Sequence, residues 1–309
     1  MFLKQVRQFS RIIDDPEVES YIQALGHNLS SHTDNLEQPF KFFMIDNPTI
    51  NAFAGPGGMI GINSGIILNS NSESELAAVV AHEIAHVTQR HLARAFEEAK
   101  KFSLPTAAAM IGALIIATQD PAAGQAAISG IAGFNIQNQI NFTRDNEEEA
   151  DRIGINLLAK SGYDPRGMPL FFERLQKLSK FSQSNAPDFF RTHPLTTSRI
   201  ADSRARAESY PKKTFKNSHA YELVRYKLLV KTLQTPKEAI LFLRDRLDKN
   251  KGGLEEKLPI RYGLAYAYLA DRAFAHANQQ IKHLLILELN EKIKFSWRTI
   301  KPWTVVIST

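Results

Sequence analysis

In the run His82-Glu83-Ile84-Ala85-His86, two histidines stand four residues apart and a glutamate directly follows the first. Residues four apart on a helix share a face. Two imidazoles at that spacing can grip one divalent ion such as zinc, while Glu83 addresses a water that the ion activates. A hydrolytic zinc site needs a third protein ligand and an open position. A longer histidine pattern would supply that ligand ten residues after His82, but Leu92 stands there, and His91 falls at the wrong helical angle and reads as a polar-face residue. The other source is a carboxylate from a later helix. Asn146-Glu147-Glu148-Glu149-Ala150-Asp151 carries Glu147 and Asp151 on one face, the first able to ligate and the second to orient an imidazole from behind. With no cysteine in the chain, every ligand must be nitrogen or oxygen.

The elements that must carry these groups can be read from caps and periodicity. Ser72 and Glu75 have capping-box spacing and open a pattern free of Pro and Gly that predicts one helix from 72 to about 100. Its apolar stretch Leu76-Ala77-Ala78-Val79-Val80-Ala81 buries the helix just before His82. Upstream, Asp15-Pro16-Glu17 starts a helix running to about 28, because Asp15 can cap and Pro16 has no amide hydrogen to leave unpaired. Apolar runs at 40–45 and 59–68 predict strands separated by Asn51-Ala52-Phe53-Ala54-Gly55-Pro56-Gly57-Gly58, whose glycines and proline signal a bend. The second run, if it forms a sheet edge, can pair with an extended peptide; a buried central strand fits it equally well. Helices are predicted from about Asp145 to Ser161 and from Gly167 to Phe181, with a loop from 182 leading to Thr192-His193-Pro194.

Two stretches bear on partners. Residues 102–143 hold a single charge, Asp120, and the charge-free stretch 102–119 has 18 residues. That is near the ~20 that span a bilayer, but Pro105 and several Ala and Thr weaken it, so a buried or membrane-skimming helical hairpin is expected, with membrane-surface contact through 102–143. The net charge of +6 equals the local excess between Arg204 and Lys231, eight basic residues against Glu208 and Glu222. The basic residues are concentrated in that one stretch, so no nucleic-acid partner is expected; a solvated linker and helix face is, with contact to an anionic lipid surface or an acidic partner as the alternative. No secretory signal is read at the start, where Lys4 and Arg7 interrupt the apolar run. Beyond a boundary near 207–218 the chain reads as all-helical. Thr235-Pro236 opens a segment with Ile240, Leu243 and Leu247 on one side, and another helix begins at Ile260. Gly263, Tyr266 and Ala275 fit tetratricopeptide spacing, although Gln279 and Lys282 do not, and the ending Ser296-Trp297 to Val306-Ile307 is not repeat-like.

Three separated motifs combine into a specific resemblance. Ala81-His82-Glu83-Ile84-Ala85-His86-Val87-Thr88-Gln89-Arg90-His91, then Asn146-Glu147-Glu148-Glu149-Ala150-Asp151-Arg152-Ile153-Gly154, then Thr192-His193-Pro194-Leu195 with Arg199, together resemble the HtpX and BepA class of bacterial zinc metallopeptidases. These are kin to the CAAX prenyl endopeptidases, and the match, over residues 12–207, is nearest to the periplasmic BepA type. The resemblance implies one zinc ion per chain on His82, His86 and Glu147, Glu83 as general base, Asp151 behind a ligand, and His193 and Arg199 as the family's His-Pro segment near the metal, counted with Glu83 as candidate catalytic residues. His193 could donate to the tetrahedral oxyanion, which makes it catalytic, or close on the zinc as a fourth ligand, which makes it inhibitory; the resemblance implies the second.

The resulting expectation is an α+β, mostly helical protein: a zincin-like peptidase domain with a small sheet over 1–207, then an incomplete tetratricopeptide-like helical region over 208–309. The family implies a periplasmic endopeptidase acting on misfolded or stalled envelope proteins in outer-membrane quality control, with protein substrates and with the outer-membrane assembly machinery met through the C-terminal helices. The competing expectation is an assembly chaperone or adaptor whose zinc site is largely closed by His193. Against the family pattern, the chain reads as shortened at both ends.

Overall fold

A computed structural model of the chain describes residues 2–34, 38–100, 136–181 and 188–291, with isolated positions between 101 and 135. Most of the 102–143 insert and the ending from 292 lie outside the described residues, so the hairpin and the non-repeat ending are not addressed by it. Among the described residues no helix is long and apolar enough to cross a membrane. Two compact units divide the chain, Met1–Lys216 and Asn217–Thr309.

The first unit is mostly helical with one three-stranded sheet. Helix α1 (Phe2–Phe9) precedes α2 (Pro16–Ser30), whose first amides at Glu17 and Val18 donate to the Asp15 carboxylate as the cap predicts. Strands β1 (Lys41–Ile45), β2 (Ala52–Gly55) and β3 (Met59–Asn63) lie in the order β1-β3-β2, with β3 parallel to β1 and antiparallel to β2. β3 is therefore central, the second of the two arrangements open to the 59–67 run, and it offers no edge to an extended peptide. The sheet ends at β1 on one side and at β2 on the other, and β2 is a segment that sequence alone assigns to the bend because its flanking glycines and proline signal a turn. The outer side of β1 is partly closed by an antiparallel bridge between Ile12 and Ile45 and a hydrogen bond from the Ile13 amide to the Met44 carbonyl.

The second apolar run also ends earlier than predicted. At Ser64 the chain leaves the sheet and forms a short helix, α3 (Ser64–Asn69). Gly65 allows it, since a Cβ there would lie 2.3 Å from the Pro48 carbonyl oxygen. Helix α4 (Glu73–Thr88) starts where predicted, with the Ser72 hydroxyl accepting from the Glu75 amide at 3.3 Å. It is buried along almost its whole length.

The predicted single helix to residue 100 is in fact two. After Thr88 the chain turns at Arg90, whose φ of 56° is left-handed, and α5 (His91–Lys100) sets off anew. A left-handed arginine costs about 1–2 kcal/mol, and neither Gly nor Asn marks the break in sequence. Helix α6 (Ile136–Lys160) begins well before the predicted Asp145 and packs along α4. Gly154 permits the close approach: a Cβ would stand 2.7 Å from the Met168 side chain and 3.3 Å from the backbone nitrogen of His82. Helix α7 (Gly167–Phe181) matches its prediction, and α8 (Phe189–Thr192) and α9 (Thr197–Glu208) complete the unit.

The second unit consists of α10 (His219–Thr232), α11 (Pro236–Lys249), α12 (Leu254–Ala270) and α13 (Phe274–Glu291). Tyr226, Ile240, Leu243, Ile260 and Leu264 are buried together in its core. Helix α12 starts before Ile260 because Pro259 is accommodated inside it, costing one amide donor but not the helix. Within the basic run Arg204 pairs with Glu173 and Arg206 with Asp202 at 2.6 Å, while the Lys227 ammonium lies 5.5 Å from the Tyr266 ring centroid in a buried cation–π contact.

Candidate metal centre

Three helices and one loop bring the sequence-predicted residues together. From α4, His82 and His86 turn their Nε2 atoms toward each other, 2.9 Å apart. From α6, Glu147 lies 3.2 Å from His82 Nε2 and 3.3 Å from His86 Nε2. From the loop before Pro194, His193 Nδ1 lies 3.0 and 3.1 Å from the two Glu147 oxygens and 3.3 Å from His82 Nε2. One donor atom from each of these four residues falls within 4.8 Å of the others, the arrangement of a nitrogen- and oxygen-ligated metal.

The orientation of the rings fits a cation. His82 turns Nδ1 to Asp151 at 2.9 Å, and His86 turns Nδ1 to His91 at 2.7 Å. Both inward nitrogens are thus left to converge on the Glu147 carboxylate. Burial opposes charge on His82, but Glu147 and Asp151 outweigh it and push its pKa up to about 10. Burial pulls His86 down to about 3 despite Glu147 beside it, so that imidazole is neutral. Burial also opposes charge on Glu147, yet His193, His86 and His82 hold its carboxyl well below the ordinary range.

Glu83 is almost completely buried, and among the described residues neither carboxylate oxygen has a hydrogen-bond partner. His193 Nε2 stands 3.3 Å from one of them, outside hydrogen-bonding geometry. Burial raises the Glu83 pKa above its usual value, against the pull of His193 and His82. That is the direction in which a carboxylate becomes able to take and return a proton near neutrality.

Asp151 and Arg199 form the back wall. Arg199, 1% exposed, donates to both Asp151 oxygens at 2.8 Å and to the Pro194 carbonyl at 2.7 Å, and lies 3.0 Å from Glu147. Burial works against ionised Asp151, but Arg199 and then His82 hold its pKa low. The His193 loop is fastened on its other side: the Phe189 amide donates to the Ile50 carbonyl at 3.1 Å, and the Phe189 ring stacks on His193 with centroids 4.7 Å apart.

His91 differs from its sequence reading. It is buried, not on a polar face, and contacts both His86 and Glu149. The turn at Arg90 swings it there, and no local residue pattern announces that turn.

With the geometry established, comparison with known proteins gives a consistent picture. The family model described as "Peptidase family M48" matches residues 16–207. A Vibrio cholerae relative is 42% identical over 284 residues, 92% of this chain and 58% of its own length. The Escherichia coli "Beta-barrel assembly-enhancing protease" is 38% identical over 288 residues, 93% of this chain and 58% of its own. The Escherichia coli "Metalloprotease LoiP" is 30% identical over 193 residues, 59% of this chain and 66% of its own. The chain spans a little over half the length of the first two of these relatives. A match covering the entire described metal cluster and well over half of the sequence makes this chain a member of peptidase family M48.

Proposed function

We propose that the chain is a zinc endopeptidase that cleaves extended segments of misfolded or stalled envelope proteins in the periplasm, as part of outer-membrane protein quality control. The observation that carries this reading is the convergence of His82, His86 and Glu147 beside a buried glutamate that has no hydrogen-bond partner among the described residues. These three residues would hold the ion, and their nitrogen and oxygen donors suit zinc. When bound, zinc supplies Lewis acidity to the scissile carbonyl and to the attacking water. Glu83 takes the proton from that water and returns it to the leaving amine. Asp151 fixes the His82 ring, and Arg199 neutralises Asp151 and Glu147 from behind; it braces the site and does not touch substrate.

An extended polypeptide has a natural seat along β2. That strand ends the sheet on one side and is packed close to α4, and the Ala54 backbone is near enough to the Glu83 carboxylate to lower its pKa. Backbone pairing to a terminal strand reads extended shape more than sequence, which suits unfolded clients. The printed name of the Escherichia coli relative, a beta-barrel assembly-enhancing protease, supports the envelope role and contact of the helical second unit with the outer-membrane assembly machinery.

His193 closes the site in this account. It bonds Glu147, approaches Glu83 and is clamped by Phe189, so it fills the position that water and substrate require. Replacing His193 by Ala is therefore expected to raise casein cleavage by about tenfold, equivalent to removing about 1.4 kcal/mol of closure, with the gain abolished by a chelator. Loss of cleavage in the same assay contradicts closure and assigns His193 to oxyanion stabilisation. No cleavage by either chain contradicts the peptidase reading and favours an adaptor.

A further inference from the structure

We infer that His91 is a positioning residue for His86, fixing that ring in the tautomer whose Nε2 is free for an ion, and that Glu149 and Arg94 in turn fix His91. The inference rests on the metal-site reading above. Its starting point is the 2.7 Å contact between His86 Nδ1 and His91 Nδ1, two ring nitrogens of which only one can carry the hydrogen. His86 Nε2 points at His82 Nε2 and Glu147, so as a ligand it has no proton there and must carry one on Nδ1. His91 Nδ1 is then the acceptor. Its own proton sits on Nε2, which donates to Glu149 Oε2 at 3.0 Å. Arg94 donates to that same oxygen at 2.7 Å. Each hydrogen in the chain is placed by the one before it.

The two histidine ligands are thus backed in parallel ways. His82 rests directly on Asp151, which Arg199 grips; His86 rests on Glu149 and Arg94 through the intervening imidazole. The left-handed backbone at Arg90 is what delivers His91 to this position, and His91 is 4% exposed, so water does not substitute for it freely. Partners behind a metal-bound histidine typically govern affinity by 10- to 100-fold.

The test measures zinc dissociation constants by chelator competition on the full chain, together with the visible spectrum of the cobalt-loaded protein. Native, His91→Leu and His91→Gln chains are compared. Leu removes the acceptor; Gln retains one acceptor and one donor. His91→Leu is expected to weaken zinc binding by about 10- to 100-fold and to shift the cobalt spectrum, and His91→Gln to recover most of both. A purely structural role lowers the thermal stability of the metal-free chain and leaves affinity and spectrum at native values, which overturns the inference. Equal weakening by Leu and Gln also overturns it. Should His91→Leu not fold, Glu149→Ala at a partly exposed position serves instead, with a smaller loss of affinity expected and native affinity counting against the chain of contacts. A native chain that takes up no zinc overturns the metal-site reading itself, whereas native uptake matched by His91→Leu overturns this inference alone.

Discussion

Glu83→Gln is expected to reduce casein cleavage by about 10²- to 10⁴-fold, the range for removing a general base, while zinc content stays at one ion per chain. The expectation follows from where Glu83 stands. It is not one of the four clustered ligand residues, so its carboxylate is dispensable for holding an ion. It lies beside that cluster, buried, with both oxygens lacking a hydrogen-bond partner among the described residues and with its pKa raised by burial. Glutamine reproduces its size and cannot accept the proton. Rate and metal content measured on the same preparation separate the two roles: a variant retaining more than about a tenth of native activity falls outside the general-base range and contradicts the assignment. A variant that loses its zinc shows that Glu83 holds the site together and does not act within it.

Arg199→Ala should have the largest effect on stability. Its guanidinium makes two 2.8 Å bonds to Asp151 and one of 2.7 Å to the Pro194 carbonyl, and lies 3.0 Å from Glu147, all in a buried setting. Removing one partner of a buried charge pair costs about 3–5 kcal/mol, because the remaining charge has lost its compensation. Here two carboxylates lose it at once. Urea unfolding of metal-stripped native and variant chains measures the loss without the contribution of a bound ion. Arg199→Lys should recover little, since an ammonium cannot reproduce the bidentate grip on Asp151. A loss below about 1 kcal/mol, typical of a surface pair, would mean that Arg199 is not the brace that the contacts describe.

The sequence carried the chemistry further than the topology. His82, Glu83 and His86 are legible because four-residue spacing on a helix is a local rule, and Glu147 and Asp151 obey the same rule on α6. Cap positions at Asp15 and Ser72 are readable for the same reason, and the Asp15 carboxylate and Ser72 hydroxyl accept from amides of the first turn. What failed depended on distant partners. Ala52–Gly55 becomes a strand because β3 offers it a ladder, against its own propensity. The helix starting at Ser64 depends on Gly65 fitting beneath the Pro48 carbonyl, some 17 residues back in sequence. His91 reads as a polar-face residue in sequence because the break at Arg90 carries no residue that favours left-handed backbone, and only its tertiary contacts to His86 and Glu149 reveal its place. Five-residue spacing from His86 then looks like the wrong face of one helix, when it is the first residue of the next.

The most direct measurement is the zinc content of the purified chain beside that of Glu147→Ala, after both have been stripped and dialysed against the same zinc buffer. Glu147 reaches the two imidazoles from a helix that begins 48 residues after α4 ends, so its role depends wholly on the fold described above. One zinc per native chain, with Glu147→Ala retaining little or none, is the expected result. A native chain without stoichiometric zinc, or a Glu147→Ala chain that holds it as well as the native one, would contradict the account.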